Sequence, residues 1–113
     1  MFRVYGIKTW DSVRKALRFF KDNEIEIEFF DLKKELPSSD LIDSWVEKED
    51  INLLFNSRGT KYRTLKLKEL NLDDDGKIQW LKKEPMLLKR PLVEYDGKVL
   101  VAFKEEIYKE TFL

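Results

Sequence analysis

The chain has 113 residues, with 22 basic and 22 acidic side chains and neither cysteine nor histidine. Its length is typical of one domain, and a hydrophobic content of 42% excludes a disordered chain. The missing residue types exclude disulfides, thiolate nucleophiles, imidazole bases and the commonest ligands of transition metals. Because no apolar run reaches transmembrane length, we expect a cytoplasmic protein, and the balanced charges give no general attraction to nucleic acid or membranes. We also expect a monomer without a bound metal or cofactor.

The first third of the chain predicts a strand, a helix and a second strand. Residues 2–6 have the composition of a short strand ending at Gly6, and residues 25–30 alternate between apolar and acidic side chains. Thr9 or Asp11 is expected to cap the helix between them. Apolar residues recur along this helix at helical spacing: Val13, Ala16, Leu17 and Phe20. Two strands joined by such a helix should be parallel.

The middle of the chain predicts helices only. A second helix begins at residues 37–40 and carries an apolar stripe, and residues 51–55 extend the apolar surface as a short helix. A third helix is expected over 74–84, where Pro85 ends it. We expect this stretch, residues 37–84, to be a helical insertion within one domain that spans residues 1–113.

The last third predicts a hairpin followed by a helix. Residues 92–95 and 98–103 flank Asp96–Gly97, a strong hairpin signal, and apolar residues return at helical spacing from Ile107 to Phe112. The order is therefore β-α-β, helical insertion, β-β-α. This order predicts an α/β protein of the thioredoxin-like plan, with a mixed four-stranded sheet.

Five stretches carry a closer resemblance: Tyr5–Thr9, Asp31–Lys34, Asn56–Arg63, Pro85–Leu92 and Gly97–Glu106. In this order and spacing they resemble the arsenate reductase (ArsC)/Spx family of thioredoxin-like proteins. The resemblance covers the chain from about residue 2 to residue 113. It implies a thioredoxin-like fold and, for members with a redox thiol, glutaredoxin-coupled reduction.

The family's redox cysteine stands at the start of the first helix, where the helix dipole and free amides stabilise a thiolate. By the resemblance, that position is Trp10 in this chain, and a second cysteine of Spx-type members falls at Val13. Trp10 has two interpretations. It is either an exposed anchor for a partner or an aromatic side chain that fills the vacated groove.

The resemblance also implies an anion site and a cis-proline. The family's Arg-Pro pair matches Arg90 and Pro91, so Pro91 is expected to be cis and Arg90 to hold an oxyanion. Further anion-binding candidates are Arg58, Lys104 and the helix start at Ser12. A structural arginine satisfied by backbone carbonyls remains the alternative for Arg90.

A basic segment runs from Arg58 to Lys68 without an acidic residue. It is either a contact patch for an acidic protein or nucleic acid, or a solvated amphipathic segment. Since the net charge of the chain is zero, a protein partner is favoured over nucleic acid. The triplet Asp73–Asp75 matches no calcium loop, because the glycine and terminal glutamate of that loop are missing.

Two functions follow. The first is a non-catalytic protein-interaction or regulatory module that lacks the redox cysteine, and its resemblance to Spx implies the RNA polymerase α subunit as a partner. The alternative is an arsenate reductase-like oxidoreductase coupled to glutaredoxin, or an oxyanion-binding remnant of one. The missing nucleophile argues against the enzyme, since such reductases work by thiolate attack.

Overall fold

The computed structural model describes all residues from 1 to 113. Its helices and strands, in chain order, are β1 (Phe2–Gly6), α1 (Asp11–Asp22), β2 (Ile27–Asp31), α2 (Ser39–Lys48), α3 (Ile51–Leu54), α4 (Thr60–Thr64), α5 (Asp74–Lys83), β3 (Leu92–Tyr95), β4 (Lys98–Val101) and α6 (Glu105–Phe112). Two 3₁₀ turns cover Leu67–Leu70 and Pro85–Leu87. None of the helices has the length and apolarity needed to cross a bilayer.

The chain forms two compact units, which we call the sheet unit and the helical unit. The sheet unit combines residues 1–35 with residues 90–113, and the helical unit comprises residues 36–89. The helical unit contains the predicted insertion and extends it by one residue at the start and five at the end, relative to 37–84.

The sheet unit contains one mixed sheet of four strands in the order β2-β1-β3-β4. β1 runs parallel to β2, with Val4 opposite Phe29, and antiparallel to β3, with Val4 opposite Val93. β3 and β4 form the predicted hairpin, with Leu92 opposite Val101. The βαβ and ββα halves are therefore confirmed, and the class is α/β.

One face of this sheet packs on α1 and α6 through an aromatic core. Tyr108 of α6 is fully buried, and its ring lies 4.7 Å from that of Phe103 and 5.4 Å from that of Phe19. Val4 and Val93 from the two central strands are also fully buried in this cluster. Because side chains alternate along a strand, Val4 faces the helices and its neighbours face away.

The opposite face of the central strands carries a polar group of residues. The Tyr5 hydroxyl donates a hydrogen bond to Glu94 Oε1 at 2.9 Å, and Arg3 lies 4.0 Å from the same carboxylate. The Tyr5 ring stacks on Phe30 with centroids 4.8 Å apart. Burial and the Glu94 carboxylate raise the pKa of Tyr5 above its ordinary value, so this hydroxyl stays a donor.

The helical unit packs α2 and α5 around buried apolar side chains. Ser38 caps α2, since its Oγ accepts a hydrogen bond from the backbone N–H of Leu41 at 3.1 Å. Ile42 and Trp45 of α2 are fully buried, and so is Leu81 of α5. These are the inward positions that the apolar pattern predicts for the second and third helices.

Two predicted strand boundaries are wrong for identifiable reasons. The second strand begins at Ile27 rather than Ile25, because the Ile25 N–H donates to Phe20 O at 2.9 Å and still belongs to the end of α1. Glu24 takes a positive φ of 56° at that helix end. The last strand ends at Val101 rather than at residue 103, because Ala102 also adopts a positive φ, of 65°.

Candidate functional site

The start of α1 follows directly from the loop after β1. Trp10 is the N-cap residue, in an extended conformation, and its N–H donates to Ile7 O at 3.1 Å. No side chain caps this helix, so the predicted caps, Thr9 and Asp11, are wrong. The backbone amides of the first turn are therefore not used by a side-chain cap, as at an anion-binding helix start.

Val13 is a core residue directly behind this helix start. Its side chain is fully buried, and a Cβ added to Gly6 would lie only 2.7 Å from Val13 Cγ2. The backbone of β1 and the first turn of α1 therefore meet closely at a glycine. Val13, which the resemblance matches to the second cysteine of Spx-type members, is a packing residue in this structure.

Arg90 lies over the face of the Trp10 indole. Trp10 is half-buried, and the Nε and Nη1 atoms of Arg90 are buried without a hydrogen-bond partner. Burial lowers the pKa of Arg90 to about 9, well below its ordinary value. The indole face offsets part of the cost of burying the charge, because its quadrupole attracts a cation. At neutral pH the pair therefore consists of a cation and an aromatic ring, with two donor nitrogens of the guanidinium unused.

A second contact joins Arg90 to α1 through its backbone. The Ser12 hydroxyl donates to Arg90 O at 3.3 Å, so this hydroxyl is engaged with the protein itself. The Arg90–Pro91 peptide bond is cis, and Pro91 O accepts the N–H of Ala102 at 3.0 Å. The structure thus brings together four of the positions singled out from the sequence: Trp10, Ser12, Arg90 and Pro91.

Two further anion-binding candidates were named from the sequence, Lys104 and Arg58. Lys104 is exposed at the N-cap of α6 and forms no ion pair. Arg58 is exposed and belongs to the helical unit, where its backbone N–H donates to Asn56 Oδ1 at 3.1 Å. Arg90 is therefore the anion-binding candidate whose guanidinium lies on Trp10, the N-cap residue of α1.

An ion pair that the sequence analysis did not identify lies on the first turn of α1. The Asp11 carboxylate pairs with Arg14, three positions along the helix. A carboxylate in the first turn is stabilised by the helix dipole, so it competes with an external anion for the same positive potential. The spacing from Asp11 to Arg14 was the available signal, because such pairs are neighbours on a helix.

The groups at the α1 start could bind a ligand, but they include no nucleophile for thiol chemistry. An indole cannot form the mixed disulfide through which thioredoxin-fold reductases work. No cluster of acidic side chains could hold a metal ion. Asp73, from the acidic triplet, instead caps α5 by accepting the Gly76 N–H at 2.7 Å. What the α1 start presents is a partly exposed indole beside unused guanidinium donors.

Comparison with known proteins finds relatives that match almost the whole chain. An uncharacterized protein of Haemophilus influenzae is 34% identical over 113 residues, covering 99% of each chain. A Staphylococcus aureus protein solved by NMR is 35% identical with a TM-score of 0.83, covering 100% of this chain and 99% of that one. An arsenate reductase (ArsC) related protein from Brucella melitensis is 32% identical with a TM-score of 0.78, covering 98% and 93%. Residues 5–111 match the ArsC family model, and the chain belongs to the ArsC family.

Proposed function

We propose that this ArsC-family chain is a non-catalytic protein-binding module. The observation that carries the proposal is the α1 start, where a half-buried Trp10 lies under Arg90. By the resemblance, this is the position of the family's redox thiol. Since none of the 113 residues is a cysteine, thiolate attack is unavailable to them.

The Trp10–Arg90 pair has the chemistry of a binding hot spot. Tryptophan and arginine are among the residue types most enriched where a few side chains supply most of the affinity of an interface. Arg90 Nε and Nη1 are buried and unpaired, and a buried donor without an acceptor costs free energy. A partner could supply a carboxylate or carbonyl to these atoms only if Arg90 moved off the indole, and the new hydrogen bonds would then remove that cost.

The RNA polymerase α subunit is the first partner to test, because the resemblance to Spx implies it. We expect purified α subunit to bind the protein and Trp10→Ala to weaken binding about 30-fold, the loss of a hot spot worth about 2 kcal/mol. Trp80→Ala is a matched control, since Trp80 is also half-buried and has Lys83 Nζ 4.9 Å from its ring centroid. Equal loss in both variants would contradict a binding role for Trp10.

The same purified protein should be assayed for arsenate reduction with glutathione and glutaredoxin. We expect no turnover, and any turnover that survives removal of contaminating reductases would overturn the non-catalytic proposal. Trp10→Cys is the informative variant in this assay, because it restores a thiol at the helix start, where the dipole lowers a thiol pKa.

A second candidate function is oxyanion binding without chemistry, favoured by the unpaired nitrogens of Arg90 beside the α1 start. Titration with arsenate or phosphate would then shift the NMR signals of the Asp11–Val13 amides and of Arg90 Nε–H. Arg90→Met should abolish those shifts. The Asp11 carboxylate opposes such binding, so Asp11→Asn should strengthen it.

A further inference from the structure

The helical unit contains a cavity of about 490 Å³ whose lining is mainly basic. α4 supplies Tyr62 and Arg63, and the chain after it supplies Lys66, Lys68 and Glu69. Arg58 and Ser57, which precede α4, complete the lining. Four exposed cations of the basic segment identified in the sequence therefore line one concave surface.

These four cations are unpaired within the protein. Arg58, Arg63, Lys66 and Lys68 form no ion pair, whereas Lys61 of the same segment pairs with Glu84 at 3.5 Å. Glu69 is the one acidic residue of the lining, and it is exposed. Four cations against one carboxylate leave the cavity with an excess of positive charge.

We propose that this cavity docks an acidic peptide segment of a partner protein, with Arg58 and Arg63 binding its carboxylates. The proposal rests on the proposed function and names the chemistry of the partner. The arginine guanidinium matches a carboxylate with two parallel N–H donors, and the two lysines add point charges. The half-buried ring of Tyr62, edge-on to Phe55 at 5.9 Å, gives the cavity an apolar wall for an aliphatic or aromatic residue of the peptide.

Shape and charge favour a peptide over nucleic acid. Duplex DNA is bound by cations spread along its phosphates, whereas these four converge on one cavity of a size that holds a few side chains. The zero net charge of the chain also provides no long-range attraction to a polyanion. The cavity therefore suits a few carboxylates presented together with an apolar side chain.

The test measures fluorescence anisotropy of a short labelled peptide in which Glu and Asp alternate with Leu and Phe. Its neutral twin, with Gln and Asn in place of the acids, and a labelled single-stranded DNA are run in parallel. We expect the acidic peptide to bind, and Arg58→Glu with Arg63→Glu to weaken binding about tenfold or more, since charge-assisted hydrogen bonds are lost. Glu69→Gln should strengthen binding, because it removes a like charge from the cavity.

The matched control is Lys33→Glu with Lys34→Glu, two exposed lysines of the sheet unit. Both double variants replace two cations by two anions, so they change the net charge equally. Equal loss in both, no binding of the acidic peptide by the unmodified protein, or tighter binding of the DNA would each overturn the proposal. Arsenate turnover would instead contradict the proposed function and leave the peptide result unchanged, so the two failures are distinguishable.

Discussion

Arg90 contacts the first turn of α1 twice, once through its guanidinium on the Trp10 ring and once through its backbone carbonyl, which accepts the Ser12 hydroxyl at 3.3 Å. The segment that leads into β3 is thereby held against the start of α1. Arg90 therefore contributes to stability and to the surface that a ligand meets. Its contribution to stability depends on pH, because the charge of its guanidinium does.

The stability of the protein should depend on the Arg90 charge in the alkaline range. Burial lowers the pKa of Arg90 in the folded state to about 9, well below the pKa of the free side chain. Between these two pKa values the unfolded state binds more protons than the folded state, so the contribution of Arg90 to the free energy of unfolding rises with pH. Below about pH 9 the cost of burying the charged guanidinium is fully present. Discounted for partial exposure, the gain at about pH 10 should be about 1 kcal/mol.

Urea unfolding at neutral pH and at about pH 10 checks this prediction. The unmodified protein should gain stability relative to Arg90→Met between these two conditions. Arg18→Met is the control, because Arg18 is an exposed arginine of α1. This variant should show no such difference from the unmodified protein. Parallel behaviour of the unmodified protein and Arg90→Met would contradict the assigned burial.

The contact between Gly6 and Val13 should show strong coupling in a double-mutant cycle. Gly6→Ala places a methyl group 2.7 Å from Val13 Cγ2, so we expect it to lower the free energy of unfolding by about 1–3 kcal/mol. Val13→Ala makes room, and the double variant should recover at least about 1 kcal/mol relative to additivity. Gly97→Ala is the control: its cost arises from a φ of 75° with no nearby atom, so it should not couple to Val13.

The two buried tyrosines should respond oppositely to loss of the hydroxyl. Tyr108 Oη is buried without a partner, so Tyr108→Phe should leave stability unchanged or raise it by up to about 1 kcal/mol. Tyr5 donates to Glu94, so Tyr5→Phe should lower stability by about 1–2 kcal/mol. Denaturant unfolding of both variants under one condition decides the comparison, and a large loss for Tyr108→Phe would indicate a partner for its hydroxyl.

Most of the helices and strands could be predicted from the sequence, because the spacing of their apolar residues and the turn residues between them indicate the local structure. The apolar spacing of α1 and the Asp96–Gly97 turn each report the local backbone directly. The start of β2 and the end of β4 could not be predicted, because Glu24 and Ala102 adopt left-handed conformations that their residue types do not predict.

The site was predicted in position but not in geometry. The resemblance identified Trp10 and Arg90 as the residues at the family's site, yet their stacking joins side chains from opposite ends of the chain. Ser12 and Arg90 are 78 positions apart, and nothing local in the sequence specifies that Ser12 Oγ is used by a backbone carbonyl. Sequence patterns give residue types and spacing, whereas the hydrogen-bond partner depends on tertiary packing.

The sheet pairs the beginning of the chain with its end, since Arg3 of β1 lies opposite Glu94 of β3. On a ribosome, β1 and β2 emerge first and must wait for β3 while the whole helical unit is synthesised between them. Pairings so distant in sequence are slow to form. Val4, fully buried in the finished protein, therefore lacks its β3 neighbour Val93 until the last strands are made, and the apolar core of the sheet unit stays incomplete for that time.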